Sequence, residues 1–222
     1  MNETLAPIEE LLRVPTPRPA PMGIAYDGTW LWLGSYETHR LYGFDPRRGS
    51  VFEEAKAPGQ LYGLTVLGDE LRAVVGEGEP GDDDRSIARY VIGHGFKTEM
   101  LPCPDRTGSF LAYDGDFLFL SQRFLKRIVE LDSAGAVRRL IPVPRETTGM
   151  TILDGRFYLV TTESRDVDDL RLLRLDARKE PVEVVELASI GFGARGLAYD
   201  GTRFWTCDRA ANTIVAFARP DL

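Results

Sequence analysis

The sequence predicts an all-β fold, a five-bladed β-propeller of four-stranded blades, and three observations support this prediction. The tetrapeptide Ala-Tyr-Asp-Gly occurs three times, at residues 25–28, 112–115 and 198–201. Weaker copies of the turn lie at residues 67–69 and 153–155, so that five units follow one another at spacings of 41, 46, 40 and 46 residues. The strands in these units are apolar on both faces. Repeats of this length in a β-rich chain are typical of propeller blades.

Each unit begins with an inner strand that ends at the repeated turn. In the first unit the strand reads Gly-Ile-Ala-Tyr and the turn is Asp27-Gly28. This pair suits a tight hairpin because glycine accepts positive φ without steric cost and aspartate tolerates it better than most residues. We therefore interpret Asp27, Asp114 and Asp200 as turn residues and not as catalytic groups.

The second strand of each unit carries large apolar side chains on both faces. Trp30 and Trp32 alternate with Leu31 and Leu33, and residues 117–120 repeat this alternation. A strand that is apolar on both faces is covered on both faces, which is what a blade between two neighbouring blades requires. The pattern assigns most aromatic residues to the core, including all three tryptophans.

A third strand and an outer strand complete each unit, but the last unit reaches only its third strand, at residues 213–218. Residues 8–17 resemble the outer strands of the other units and precede the first inner strand by the usual distance. We therefore predict that the N-terminal strand completes the fifth blade and closes the ring. The whole chain, residues 1–222, is then a single propeller domain.

The composition argues against several partners and sites. The net charge of −7 over 222 residues opposes binding to nucleic acid and to anionic membranes. No apolar run is long enough to span a bilayer, so a soluble, cytoplasmic protein is expected, as a monomer. Cys103 and Cys207 are too few for a disulfide framework, and neither His39 nor His94 has a second histidine or cysteine at ligand spacing, which argues against zinc.

Polar residues are predicted to gather at one mouth of the central channel. In a propeller the ends of the second strands and the starts of the inner strands open on the same side. The candidate ligand-binding residues at these positions come from every unit: Tyr36, Tyr62, Gln122, Arg123, Thr148, Arg195 and Arg209. Polar groups that converge on a concave mouth in an apolar fold predict a binding site.

Carboxylates at the ends of the second strands form a candidate metal site, composed of Glu77, Glu163 and Asp208. Calcium takes oxygen ligands from flexible loops, and the two longer units carry acidic loops at residues 76–86 and 161–171. Neither loop has the spaced acidic pattern of a helix–loop–helix calcium site. Calcium is the cofactor that these carboxylates predict, either at the mouth or in a loop.

Two stretches resemble the blades of the five-bladed glutaminyl cyclotransferase family and, more loosely, lactonase-type and NHL-type propellers. They are GIAYDGTWLWLGSYETHRLYGFDPRRGSV at residues 23–51 and QLYGLTVLGDELRAV at residues 60–74. The resemblance covers nearly the whole chain and implies a propeller fold. For a member of that family it also implies cyclisation of N-terminal glutamine, acidic residues in the channel and often a bound calcium. The sequence departs from that pattern where Gln60, Leu61 and Tyr62 stand in place of a glutamate before the glycine.

Three functions remain open from the sequence. The first is a binding module that holds a small polar or anionic molecule, or a peptide end, against the arginines and tyrosines of the mouth. The second is a metal-assisted enzyme, hydrolase-like, lactonase-like or cyclotransferase-like, in which a cation held by the three carboxylates polarises a carbonyl group. The third is a scaffold that offers its outer surface to a protein partner.

Overall fold

Strands make up most of the chain and form five antiparallel sheets of four strands each. The computed structural model describes residues 5–78, 84–163 and 169–221. The first sheet contains β2 (Pro21–Tyr26), β3 (Leu31–Ser35), β4 (Arg40–Asp45) and β5 (Ser50–Lys56). The second contains β6 (Gln60–Leu67), β7 (Glu70–Glu77), β8 (Asp84–Val91) and β9 (Gly95–Pro102).

The other three sheets repeat this order. The third contains β10 (Leu111–Tyr113), β11 (Leu118–Gln122), β12 (Arg127–Leu131) and β13 (Val137–Pro142). The fourth contains β14 (Glu146–Leu153), β15 (Arg156–Thr162), β16 (Leu170–Asp176) and β17 (Glu183–Ile190). The fifth contains β18 (Ala194–Tyr199), β19 (Phe204–Asp208), β20 (Thr213–Phe217) and the N-terminal strand β1 (Glu10–Pro15). Short 3₁₀ helices span Pro104–Arg106 and Arg123–Leu125.

The five sheets close into a ring around the inner strands β2, β6, β10, β14 and β18. Each inner strand contacts the next one in this order, and β18 contacts β2. The apolar faces of adjacent sheets form the core, as the strands that are apolar on both faces require. The predicted five-bladed β-propeller is therefore confirmed. Among the described residues, no helix is long and apolar enough to cross a membrane.

The N-terminal strand completes the fifth blade, as predicted. It pairs antiparallel with β20, with Leu12 opposite Ala216 and Val14 opposite Ile214. The strand begins at Glu10 and ends at Pro15, so it is shorter than the predicted residues 8–17. Hydrogen bonds between the two ends of the chain therefore hold the ring closed.

The three aspartates of the repeated turn are structural, as predicted. Asp27 Oδ1 accepts hydrogen bonds from two amides of its own turn, at 2.8 and 2.7 Å, and its Oδ2 accepts one from the indole of Trp32 at 2.7 Å. Asp200 is bonded to its own turn in the same way, and to the indole of Trp205 at 2.8 Å. Asp114 accepts two amides at 2.9 and 2.8 Å. These carboxylates fix the end of the blade that is opposite to the predicted mouth.

The assignment of all three tryptophans to the core is wrong for Trp30. Trp32 and Trp205 are buried, whereas Trp30 is partly exposed and its ring lies 5.0 Å from that of Phe52. The reason is the start of the second strand, which begins one residue later, at Leu31. Trp30 therefore belongs to the hairpin turn at the end of the blade.

Candidate functional site

Four inner strands contain a register shift at the same place, just after they begin. The shifts lie between Pro21 and Gly23 and at equivalent points of the second, fourth and fifth blades. Such bulges re-aim the extra residue and are common beside binding sites. The residues before the glycine at these positions are Met22, Tyr62, Thr148 and Arg195. Three of the four were predicted mouth residues.

The glycines that follow these residues allow the inner strands to approach one another closely. A Cβ on Gly23 would lie 2.2 Å from the carbonyl oxygen of Tyr62, and a Cβ on Gly149 would lie 2.6 Å from the backbone of Gly196. Gly196 also has a φ of 66°, which a side chain would disfavour. Neighbouring inner strands are therefore in close backbone contact directly beneath the mouth.

Two tyrosines from adjacent blades form one wall of the mouth. The rings of Tyr36 and Tyr62 meet edge to face, with their centroids 5.5 Å apart. The guanidinium of Arg209 lies 4.4 Å from the centre of the Tyr36 ring, and that of Arg85 lies 3.5 Å from the centre of the Tyr62 ring. Cation–π contacts of this kind hold the arginine planes against the aromatic wall. The hydroxyl of Tyr62 donates to the side-chain oxygen of Gln60 at 3.2 Å.

Arg195 lies at the centre of a group of arginines. Its side chain is partly buried, and burial, together with the nearby charges of Arg123 and Arg209, lowers its pKa to about 10. Its Nη1 donates to the carbonyl oxygen of Ala194 at 2.8 Å. Among residues 5–78, 84–163 and 169–221, neither Arg195 nor Arg209 has an ion-pair partner within 4 Å. The fold thus places like charges together in a partly desolvated site.

Two carboxylates of the described residues lie near these arginines: Glu37, which is exposed and lines a cleft with Arg195 and Arg209, and Glu146. Arg123 Nε donates to Glu146 Oε2 at 2.8 Å, and the two side chains are only 15% and 14% exposed. The negative charge of Glu146 also partly offsets the lowering of the Arg195 pKa. The sequence analysis did not select Glu146. Its position at the start of β14, two residues before Thr148, is the signal that could have identified it.

The side chains of two predicted mouth residues, Gln122 and Thr148, form hydrogen bonds within the protein and do not point freely into the mouth. Gln122 is buried, and its Nε2 donates to the carbonyl oxygens of Pro104 and Thr107 at 2.7 and 3.1 Å. Its Oε1 accepts a hydrogen bond from Arg127. Thr148 is buried as well, and its hydroxyl donates to the carbonyl oxygen of Val160 at 3.4 Å. These side chains hold the walls of the mouth together.

The three carboxylates predicted to bind a metal lie in different surroundings. Glu77 is exposed at the end of β7, and Glu163 pairs with Arg145 at 2.9 Å. Asp208 is buried and accepts a hydrogen bond from Arg13 Nη1 at 2.8 Å, so that its charge is balanced by the N-terminal strand.

The structure therefore does not assemble these carboxylates into a ligand set. Among the residues that it describes, no group of three or more histidine, cysteine, aspartate or glutamate side chains could hold a metal ion. The acidic loops at residues 76–86 and 161–171 lie partly outside the described residues. Calcium remains a prediction from the sequence.

Comparison with solved structures gives similar propellers at low sequence identity. Glutaminyl cyclase from Myxococcus xanthus matches with a TM-score of 0.72 and 11% identity, over 96% of this chain and 97% of that chain. The PQQ-bound aldose sugar dehydrogenase from Streptomyces coelicolor matches with a TM-score of 0.60 and 12% identity, over 95% of this chain and 97% of that chain. Virginiamycin B lyase from Staphylococcus aureus matches with a TM-score of 0.51 and 14% identity, over 94% of this chain and 98% of that chain.

These similarities concern the fold. The expected resemblance to the glutaminyl cyclotransferase propeller is confirmed at that level, because a glutaminyl cyclase shares the architecture over nearly its whole length. No protein-family model matches the sequence, and no curated protein sequence matches it either.

Proposed function

We propose that the mouth of this propeller binds a small molecule or peptide end that carries a carboxylate. The observation that supports this proposal is the position of Arg195, which is partly buried beside Arg123 and Arg209 and has no ion-pair partner among the described residues. Like charges in a partly desolvated site disfavour the folded state until an anion neutralises them. An anionic ligand at this position would therefore relieve the repulsion between these arginines.

The charge balance of the mouth supports an anion and not a cation. Arg85, Arg123, Arg195 and Arg209 lie at the mouth. Of the carboxylates beside them, Glu146 is already paired with Arg123 at 2.8 Å, and the exposed Glu37 lines a cleft with Arg195 and Arg209. The chain as a whole carries a net charge of −7, so that this local excess of positive charge runs against the overall balance. The planar fork of a guanidinium matches the two oxygens of a carboxylate. Arg195 and Arg209 are the groups available for such a contact.

The tyrosine wall would make the site selective for the body of the ligand. Tyr36 and Tyr62 meet edge to face at 5.5 Å, and the contact with Arg209 fixes the orientation of Tyr36. Aromatic side chains supply a large rigid surface with a polar end. A ligand with an apolar group next to its carboxylate would use both parts of the mouth.

A binding role is better supported than a metal-assisted reaction. The hydrolase alternative needs a cation held jointly by three carboxylates, and Asp208 is instead paired with Arg13 at 2.8 Å. The similar solved structures include enzymes, but identities of 11 to 14% transfer the fold alone.

Calorimetric titration with succinate and with 4-methylpentanoate, which adds an apolar body to one carboxylate, tests the proposal. We expect saturable binding of at least one of them to the wild type. Substitution Arg195→Gln should weaken it about tenfold or more, since a hydrogen bond to a charged group contributes about 1.5–3 kcal/mol. Arg138→Ala, at an exposed position of the outer strand β13, is the matched control and should bind like the wild type. Equal affinities in the wild type and Arg195→Gln would contradict the proposal.

A further inference from the structure

A second cleft lies between the fifth and the first blade, at the end of the propeller opposite to the mouth. The mouth is formed where the inner strands begin, whereas this cleft is formed where they end, at the repeated turns. It encloses about 410 Å³, which is within the usual range for small-molecule sites. Its lining includes Trp30, Arg47 and Arg48 from the first blade and Arg203 and Trp205 from the fifth.

The two carboxylates in the cleft are occupied by their own turns. Asp200 accepts hydrogen bonds from the Trp205 indole at 2.8 Å and from Arg203 Nε at 2.9 Å. Asp45 accepts the amide of Arg47 at 2.9 Å. They therefore neutralise the cleft only in part.

The arginines of the cleft are open to a ligand to different degrees, because Arg203 pairs with Asp200 through its Nε, at 2.9 Å, and Arg47 does not. Arg47 is exposed, and within the part of the chain that the structure describes its guanidinium has no ion-pair partner. Arg203 lies 4.9 Å from the centre of the Trp205 ring, so that its plane is held against the wall of the cleft. Arg48 lies 3.7 Å from Asp45 and is 81% exposed.

The equivalent cavity between the third and fourth blades lacks these residues and provides a comparison. That cavity is smaller, about 260 Å³, and Phe117 and Phe119 stand where the fifth blade has Arg203 and Trp205. Its arginine, Arg178, corresponds to Arg47 but is bound to both oxygens of Asp176, at 2.9 and 2.7 Å. The combination of tryptophan with Arg47, which has no ion-pair partner among the described residues, therefore distinguishes the cleft between the fifth and first blades from this neighbour.

We propose that this cleft is a second binding site, which takes a small aromatic molecule carrying an anionic group. The aromatic ring would lie against the partly exposed Trp30, and the anionic group would be held by the guanidinium forks of Arg47 and Arg203. Ring contacts and bidentate contacts to carboxylate or phosphate are the interactions that these side chains favour. This proposal is independent of the proposed function of the mouth.

The tryptophans provide a direct readout for this site. The chain has three; Trp30 and Trp205 line the cleft, and Trp32 is fully buried. No tryptophan belongs to the mouth, so a change in tryptophan fluorescence on titration reports on the cleft. The probes are AMP, which carries a phosphate, and hydrocinnamate, which carries a carboxylate. Adenosine lacks the anionic group, and propanoate lacks the ring.

We expect saturable quenching by AMP or hydrocinnamate, and which of them binds shows which combination of ring and anionic group the cleft accepts. Arg47→Ala removes an exposed side chain and should weaken the response about tenfold or more. Arg195→Gln, in the mouth, and Arg138→Ala should respond like the wild type. The proposal is overturned if neither probe gives saturable quenching, if Arg47→Ala binds as tightly as the wild type, or if adenosine or propanoate binds as tightly as the complete probe.

Discussion

Replacing Arg195 by methionine should make the folded protein more stable. Burial and the neighbouring arginines lower the pKa of Arg195 to about 10, and each pKa unit corresponds to about 1.4 kcal/mol. The charged side chain therefore disfavours the folded state by about 3 kcal/mol relative to the unfolded chain. Methionine replaces the aliphatic part of the arginine side chain but loses the hydrogen bond to Ala194, which contributes about 1 kcal/mol.

The expected net effect is an increase in the free energy of unfolding of about 1–2 kcal/mol. In a domain of this size it corresponds to a rise in Tm of about 2–8 °C. Urea-induced unfolding, followed by circular dichroism, measures the change in free energy directly, and an unchanged m-value shows that the two states are comparable.

Arg123→Met is the matched control, because it also removes an arginine of the mouth but leaves Glu146 without its partner. Loss of one partner from a largely buried ion pair destabilises a protein by about 3 kcal/mol. The two variants should therefore change stability in opposite directions. If Arg195→Met is destabilised as much as Arg123→Met, the reasoning about an uncompensated charge in the mouth is refuted.

Three further changes test other parts of the structure. Although burial opposes it, hydrogen bonds from Arg219, Tyr158 and Arg174 lower the pKa of Asp221 to about 2. The stabilisation by the charged Asp221 should therefore be complete above about pH 4 and lost as the pH falls through 2. Asp221→Asn should flatten the fall in the free energy of urea unfolding over that range, and an unchanged slope would exclude a stabilising role of this carboxylate. Gly23→Ala would place a Cβ 2.2 Å from a backbone oxygen and should destabilise by about 3 kcal/mol or more, whereas Gly191→Ala, with open space around it, should be near neutral by the same measurement. Arg13→Ala leaves the buried Asp208 without its guanidinium partner and should lower Tm by at least about 4 °C, while Arg138→Ala should not.

The fold could be predicted from the sequence because its determinants are local and repeated. The aspartate of each Ala-Tyr-Asp-Gly turn bonds to amides within its own turn, as Asp27 does at 2.8 and 2.7 Å, so that the turn is encoded where it occurs. The apolar residues on both strand faces likewise require neighbouring sheets. Trp30 was wrongly assigned to the core because the alternating pattern does not show at which residue the strand begins, and it begins one residue later, at Leu31.

The site was only partly predictable, because its pairings join distant parts of the chain. The starts of the inner strands identified Tyr62 and Arg195, and the structure has a bulge at both positions. The pair between Arg123 and Glu146 joins two blades, and no local pattern predicts it. Asp208 was grouped with other carboxylates by its place in the repeat, but its partner is an arginine 195 residues earlier in the chain.

The most direct test of an anion site in the mouth is the Tm of the wild type and of Arg195→Met as 4-methylpentanoate is added at constant ionic strength. A ligand that binds only the folded state stabilises it by about 2.7 kcal/mol at one hundred times its dissociation constant. We predict that the Tm of the wild type, which is the lower one without ligand, rises with ligand concentration. The Tm of Arg195→Met should be higher without ligand and should not change. Equal rises in both proteins would contradict the assignment of Arg195 to the binding site.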